Sequence, residues 1–406
     1  MGYVVRSASL NAWRVRFKPW GSFALATGLL IWLLAIHLHR IAHPKHDGAH
    51  PVQPFGVMGT FWASGWAVRH GQNPFVEYPP LTWKPGAFGK DGPPVLDVNL
   101  NPPSMLPVFS LLSRIPLRTA ANIWTVTSTL LLLGITALLI RRYQPERQQV
   151  WWLLTCSATI MTLGLQQIYV ALLALTLAAW LLLESDHDIA SGILLGALAA
   201  IKPNMAVWPL FLALSGRRKL ILPTCVTAAV LSAIPVFLYG TAVYPEWWRA
   251  TGIDSHSIFP ADISIAGNFT RLGSRPAGLI IALALFVLLV CLVRAAKPQL
   301  YETTGIALCA SILCSPLGWL EYILFLAPVL FAKRWTLLTG AAAWLLWINP
   351  AFIDPQPYAS HWSAFFRGLI YFVPMCTLLV EYCRPALRAL AARWQPDYNL
   401  SAVSDS

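Results

Sequence analysis

The sequence predicts an all-α polytopic membrane protein of about twelve transmembrane helices with a long first outer loop. Three observations carry this. Apolar segments recur from residue 22 to residue 383 with one long interruption. Hydrophobic residues make up 57% of the 406 and charged residues 11%, against about 25% charged in a soluble domain, so a water-soluble fold has no way to hide the apolar surface. The Lys and Arg residues gather in short clusters between the apolar runs, as loops retained in the cytoplasm do.

A spanning helix needs about 20 mainly apolar residues. The first run, Phe23 to Ile36, follows Arg6, Arg14, Arg16 and Lys18 and continues into His37, His39 and Arg40 without a small-x-small cleavage site, so it reads as an uncleaved first helix. Further spans are expected at 120–140, 150–164, 167–183, 190–201, 203–215, 219–240, 277–294, 301–315, 317–332, 335–350 and 363–383. Several are too short to cross alone and must be tilted, kinked or buried in the bundle. With the basic clusters at Arg141-Arg142, Arg217 to Lys219, Arg294 to Lys297 and Lys333-Arg334 all placed inside, both termini are cytoplasmic. That parity requires the proline-rich segment 102–117 to be re-entrant or interfacial.

The expected organisation is a cytoplasmic segment 1–21, one membrane domain 22–383 with outer loops 41–101 and 241–276, and a cytoplasmic tail 384–406. The first loop holds what reads as an amphipathic, interfacial patch from Phe55 to Val68. The second carries Tyr244, Trp247 and Trp248, which suit an interfacial belt. The formal charge of +12 reflects topology and attraction to anionic headgroups, with no basic face for nucleic acid. The seven cysteines include no CxxC pair and read as small core hydrophobes.

Polar residues collect at the turns assigned to the outer face. Asp97-Val98-Asn99-Leu100-Asn101-Pro102-Pro103-Ser104 ends the first loop, and partial desolvation at headgroup level would make Asp97 a better base. A turn-forming Asp before prolines is the plainer reading. Lys202, followed by Pro203 and Asn204, interrupts apolar sequence far from the basic loops, where a lysine holds a phosphate or snorkels from a helix end. Gln166 and Gln167 join two runs and suit sugar hydroxyls or helix-end pairing. Asn268-Phe269-Thr270-Arg271 contains an N-x-T acceptor pattern, weak by itself. Glu321, next to Tyr322 and embedded in apolar residues, needs a partner, with Lys202 and Arg271 as the candidates, or a function. The histidines His37, His39, His43 and His46 mix helix and loop spacing and read as interfacial. No P-loop, GxGxxG, HExxH or GxSxG occurs.

In their order, several short motifs resemble those of the polytopic GT-C glycosyltransferases, in particular glycosyltransferase family 87, the polyprenyl-phosphate-mannose-dependent mannosyltransferases and their relatives. They are Gly71-Gln72-Asn73-Pro74-Phe75, Asn101-Pro102-Pro103, the Gln167 turn, Gly192 and Gly196 leading to Lys202-Pro203, Asn268 to Arg271, and Ser315 to Trp319. The resemblance extends over about residues 22–350. The chain departs from the pattern at Val57, where the family carries its catalytic Asp, and at Glu321-Tyr322, where the family often has an acidic residue and His.

The resemblance implies a GT-C-like bundle in the plasma membrane that moves a hexose, mannose foremost, from a polyprenyl phosphate to a lipid or glycan acceptor on the non-cytoplasmic side. With Val57 where the family carries its Asp, Asp97 is the residue expected to act as base in its stead. Lys202 and Arg271 would stabilise the leaving phosphate, and Asn99, Asn101, Gln167, Asn268, Glu321 and Tyr322 would orient hydroxyls. No cofactor is required, no metal ligand is assigned, and a divalent metal is compatible with these residues. A transporter or lipid flippase, or a noncatalytic assembly subunit that keeps the bundle without the base, are the alternative classes. Transporters place binding groups near the midplane and often show internal repeats, whereas here the polar residues favour one face.

Overall fold

Long uncharged runs of Leu, Ala, Ile and Val leave helix as the one way to satisfy the backbone in lipid. The computed structural model describes residues 19–36, 56–76, 99–253, 259–350 and 360–393, and no strand forms among them. The N-terminal basic residues, the four clustered histidines and Asp97 lie outside the described residues. Among the described residues, five helices are long and apolar enough to cross a membrane: α1 (Pro19–Ile36), α4 (Leu117–Tyr143), α10 (Ile221–Tyr239, entered through a 3-10 turn from Arg218), α13 (Arg275–Ala296) and α17 (His361–Arg393). The rest of the twelve expected spans are shorter helices.

α5 (Arg147–Thr155) and α6 (Ser157–Gly164) meet at a break in Cys156, which is extended at φ −65°, ψ 157°. α7 (Tyr169–Glu184) and α8 (Asp188–Ile201) follow. α8 stops at Lys202, and a 3-10 turn through Pro203–Ala206 leads into α9 (Val207–Ser215). α14 (Leu300–Leu313) is buried from Glu302 to Leu313. A 3-10 helix, Leu320–Leu326, runs straight into α15 (Ala327–Ala332), and α16 (Leu337–Leu345) precedes α17. Protein around α14, the 3-10 helix and α15 shields their interrupted backbone, whereas α16 is largely exposed.

The long helices carry the outward apolar surface: Ile123, Val126 and Leu130 on α4, Leu222, Val226 and Phe237 on α10, Ile280, Leu283 and Val287 on α13, and Phe366, Val373 and Val380 on α17. Such continuous exposed apolar faces are stable only against hydrocarbon, so the protein is an integral membrane protein. Two cysteines expected in the core, Cys225 on α10 and Cys291 on α13, lie on these exposed helices, while Cys156, Cys309 and Cys383 are buried.

α8 and α10 are in close contact because Gly192 and Gly196 face α10. A Cβ at either would come within 2.5 Å of the Leu220 or Thr224 carbonyl oxygen, and Thr224 Oγ1 donates to the Gly192 carbonyl at 3.0 Å. The glycine pair is therefore a helix-packing device of the small-xxx-small kind.

The patch from Phe55 to Val68 corrects one expectation. It forms α2 (Gly56–Arg69), whose residues from Met58 to Ser64 are all buried, so it is an internal helix and not an interfacial one. The backbone of α2 meets that of α3 (Leu106–Leu112) where Gly65 lies against Phe109, and the Phe61 and Phe109 rings stack at 4.5 Å. Trp62 Nε1 donates to the Ile115 carbonyl, and Arg69 to the Ser113 carbonyl. The 3-10 turn Pro103–Met105 and α3 together rise about 15 Å, half the hydrocarbon thickness, so this proline-rich segment does not cross alone.

The ion pairs of the described residues share one end of the bundle. Arg142 pairs with Glu184, Arg217 with Asp186 and Asp188, Lys333 with Glu302, Arg334 with Glu146, and Arg384 with Glu381. Gln149 Nε2 adds bonds to the Leu330 and Lys333 carbonyls. These turns hold the basic clusters seen in the sequence and form the basic end of the bundle.

Candidate functional site

The opposite, far end is built on the break at Lys202. Pro203 cannot donate a backbone hydrogen bond, so α8 ends at Ile201 and Lys202, the residue after it, turns into the space between α7 and the 3-10 helix Leu320–Leu326. The Lys202 ammonium donates to Asn101 Oδ1 at 2.9 Å and, at 3.4 Å, to the Tyr169 hydroxyl. It stands 5.0 Å from the centre of the Tyr169 ring and 5.5 Å from that of Tyr322, whose rings meet edge to face at 5.3 Å. A cation between two aromatic faces is held by their quadrupoles as well as by hydrogen bonds. Lys202 is only 8% exposed. Burial brings its pKa down to about 8, and the nearby Glu321 opposes that fall.

Asn99 and Asn101 are fixed as a pair. Asn99 Oδ1 accepts from the Asn101 backbone at 3.0 Å and from its amide at 3.2 Å. Between them, the Leu100 carbonyl accepts from Trp247 Nε1 of α11 (Val243–Ile253) at 3.0 Å, and Ser104 Oγ donates to the Ala200 carbonyl at 2.6 Å. Trp247, expected in an interfacial belt, is thus a clamp on this segment, while its neighbour Trp248 is exposed.

Glu321 opens the 3-10 helix in the first turn after Trp319. It is 3% exposed, its Oε2 has no hydrogen-bond partner, and no described cation lies in ion-pair contact with it. Of the two expected partners Lys202 is the near one. Arg271 is elsewhere. Fully buried on α12 (Ile265–Arg271), it donates to the Phe259 and Asp262 carbonyls at 2.9 and 3.0 Å and packs on Gly368 of α17. His361 Nδ1 reaches its carbonyl at 3.0 Å.

Sequence reading missed Asp262, the organiser of this second layer. Asp262 is fully buried, and its Oδ1 accepts from the Gly318 backbone at 2.9 Å and from Ser264 at 3.1 Å. Ile263 N donates to the Gly318 carbonyl and Leu320 N to the Ala261 carbonyl, closing a short antiparallel bridge. Gly318 is required here, since a Cβ would strike the Ile312 carbonyl at 2.6 Å. The Ser-Pro-x-x-Trp turn and the second loop therefore position Glu321 as one unit. In a sequence, Ala-Asp-Ile after a proline looks like an ordinary turn, and nothing marks Asp262 out.

Asn268 sits in this layer, 1% exposed, with Nδ2 donating to the Ser264 carbonyl and Oδ1 unpartnered. Buried in this way, its N-x-T pattern does not present a glycan acceptor. At the third turn, Gln166 and not Gln167 faces inward. Gln166 has a left-handed backbone at φ 56°, donates to Thr125 Oγ1 at 2.9 Å and leaves Oε1 unpartnered. Gln167 is half-buried, and its carbonyl accepts from Trp124 Nε1. Val57 abuts the same turn, its N–H donating to the Leu165 carbonyl at 2.9 Å. Among the described residues no three of His, Cys, Asp and Glu gather as a metal-ligand set.

The site thus unites a buried cation, a carboxylate with a free oxygen and several amides with unused hydrogen-bonding capacity, at the far end of a membrane bundle. That makes the chain an integral membrane protein with a buried polar site at one end. The profile of glycosyltransferase family 87 matches residues 99–316, more than half of the 406-residue chain, and the chain belongs to that family of membrane glycosyltransferases. Comparisons with curated proteins and with solved structures return no match. The matched region begins at Asn99 and takes in Lys202 and Asp262, while Glu321 lies just beyond its end.

Proposed function

We propose that the protein transfers a hexose, mannose foremost, from a polyprenyl-phosphate donor to a lipid or glycan acceptor, with inversion, on the non-cytoplasmic face of the plasma membrane. The observation that carries this reading is Lys202: a desolvated ammonium, aimed by Asn101 and two tyrosine rings, beside the unpaired carboxylate of Glu321. A fixed cation in a water-poor site stabilises charge that develops on a leaving phosphate far better than one in water. The ion pairs and basic turns at the opposite end support an outward-facing site, because basic loops stay inside.

In the proposed reaction a carboxylate removes the proton of an acceptor hydroxyl. The freed oxygen attacks the anomeric carbon from the face opposite the phosphate, and the bond from that carbon to the phosphate oxygen breaks. The electron pair leaves with the polyprenyl phosphate, held by Lys202. Asp97 is the first candidate for the base. Two residues on, the Asn99–Asn101 segment is tied to Lys202 and Trp247, which supports an approach by this stretch of chain. Asn99, Asn101, Gln166, Gln167 and Tyr322 would orient hydroxyls and Glu321 the acceptor or base, with Asn268 and Arg271 holding the loop behind them.

The test is transfer from radiolabelled polyprenyl-phosphate mannose to membrane acceptors by purified protein, wild type against Asp97→Asn. Loss in the variant supports both donor and base. Equal transfer by both removes Asp97 from the base role, and no transfer by either rejects this donor.

A further inference from the structure

Tryptophans packed in the bundle spend their indole N–H on the protein: Trp124 on the Gln167 carbonyl, Trp152 on that of Ala343, Trp208 on Thr304 Oγ1 and Trp247 on the Leu100 carbonyl. Trp319 does not. It is half-buried at the far end, and its indole N–H meets no acceptor among the described residues. Its backbone is nevertheless held on both sides. Trp319 stands opposite Asp262 in the antiparallel bridge, with Ile263 N–H donating to the Gly318 carbonyl at 2.7 Å and Leu320 N–H to the Ala261 carbonyl at 2.9 Å. The indole is therefore a directed group with an unused donor. The Phe259 ring, on a residue 39% exposed, lies 6.4 Å from it at an interplanar angle of 51°, so neither ring covers the other's face.

Aromatic side chains lead from this pair to the buried cation. Tyr322 N–H closes a 3-10 turn on the Trp319 carbonyl at 2.9 Å, and the rings of Tyr322 and Tyr169, 6% and 3% exposed, flank Lys202. Exposure thus falls from Phe259 through Trp319 to the two tyrosines, and the row runs from the surface into the site. Glu321, with its unpartnered Oε2, comes two residues after Trp319. A pyranose ring matches these parts. The C–H bonds of one sugar face are slightly positive and settle on the negative face of an aromatic ring, while the hydroxyls around its edge accept from an N–H and donate to a carboxylate. A hydrocarbon chain would use neither polar group, and a cationic head would meet Lys202.

We propose that Phe259 and Trp319 form the platform of an acceptor subsite that takes a pyranose ring, with the Trp319 indole N–H and Glu321 bonding to its hydroxyls. The acceptor is then a glycan or glycolipid, and a lipid alcohol without sugar is not a substrate. This rests on the reading that a hydroxyl is glycosylated at this end of the bundle, and not on the identity of the donor. The leaving phosphate at Lys202 and the acceptor sugar at the aromatic mouth lie on either side of Tyr322 and Glu321, where the attacking hydroxyl is delivered.

The test is saturation-transfer NMR on full-length protein in nanodiscs, without donor. The probes are methyl mannopyranoside, methyl glucopyranoside and methyl galactopyranoside, with glycerol as a control that has hydroxyls and no ring face. At least one pyranoside should bind, with its strongest signals on ring C–H protons. Trp319→Ala and Phe259→Ala should each weaken that binding by about tenfold, and Trp319→Tyr, which keeps a ring, by less. Trp362→Ala, 64% exposed on the outward side of α17, should leave it unchanged. Pyranosides that bind wild type no better than glycerol, or that bind the two alanine variants as tightly as wild type, overturn the subsite. Should Trp319→Ala not fold, the more exposed Phe259→Ala decides alone. Platform-dependent binding without transfer from polyprenyl-phosphate mannose keeps the subsite and rejects that donor. Transfer at limiting membrane acceptor that is equal in wild type and both alanine variants keeps the donor and rejects the subsite.

Discussion

Replacing Lys202 by Gln separates what the lysine does for the fold from what it does for the reaction. A glutamine amide still donates to Asn101 Oδ1, now 2.9 Å from the ammonium, so no buried acceptor is abandoned, and the cost of keeping a charge out of water disappears. Stability should change little, by about 1 kcal/mol or less in either direction. Catalysis should not survive so well. Removing one preorganised group from a developing oxyanion costs about 3–4 kcal/mol, on the order of a hundred- to a thousandfold in kcat. Transfer from radiolabelled polyprenyl-phosphate mannose measures the loss, and thermal unfolding in detergent checks the fold. The pH profile adds a second signature. With its pKa brought down to about 8 by burial, Lys202 loses its charge as pH rises through about 8, and transfer should fall there. Stability should move the opposite way. Between about 8 and the ordinary 10.5 the unfolded chain holds the proton and the folded protein does not, so stability rises with pH across that window. Lys202→Gln abolishes both trends. A variant with kcat within about threefold of wild type would refute a phosphate role for Lys202.

Other perturbations test the surrounding structure. Glu321→Gln removes the negative charge that holds the Lys202 pKa up, so the alkaline fall in activity should shift below about 8 and kcat should drop by about a hundredfold; an unmoved alkaline limb would contradict the coupling. Gly196→Leu drives a side chain into the Thr224 carbonyl and Thr227, and should destabilise by about 3 kcal/mol or more, read as a lower unfolding midpoint, while the same change at the uncontacted Gly134 should not. Asp262→Ala strips the Gly318 and Ser264 amides of their acceptor and should cost about 3 kcal/mol, with Asp262→Asn, which keeps one acceptor oxygen, retaining most of it; thermal melts of the two variants decide.

Much of the fold was legible because it rests on local composition. The positions of the helices and the polar turns at Lys202 and Glu321 follow from runs of apolar residues and the few that interrupt them, whereas the packing role of Gly192 and Gly196 shows only with α10 laid against them. What was not legible depends on partners far away in the chain. α2 reads as amphipathic by its residues, yet it is buried because α3 and the turn at Leu165 cover it, the latter more than a hundred residues on. Tyr169 belongs to the site only because Lys202 and Tyr322 reach it from other helices. Asp262 carries no local signal, since its importance lies in amides supplied by Ser264 and by Gly318, 56 residues later. Arg271, a natural partner for Glu321 by charge alone, is claimed instead by the carbonyls of its own loop.

The two ends of the bundle obey different rules, and the difference argues for where the chemistry is. At the basic end, Glu146, Glu184, Glu302 and Glu381 each have a cation within 4 Å. Glu302 Oε2 and Glu381 Oε1 there also lack a hydrogen-bond partner, but a cation stands beside each carboxylate; at the far end, Asn99, Gln166, Asp262, Asn268 and Glu321 each keep a buried polar atom without a partner and, among the described residues, without an ion pair. Each such atom costs about 1–3 kcal/mol, and a fold selected for stability alone would pair them or replace them with apolar residues. The structure instead surrounds them with rigid supports: the Trp247 clamp on Leu100, the Asp262 bridge to Gly318, and Gln166 held at positive φ. Rigid supports around unsatisfied groups are what a preorganised site needs, because groups that cannot relax toward one another stay available to a substrate. On this argument the stability deficit at the far end is part of the mechanism. Substituting Asn268 by Leu should therefore raise the unfolding midpoint while weakening transfer, whereas a purely structural Asn268, bonded to the Ser264 carbonyl, would lose stability and leave transfer by the folded protein unchanged.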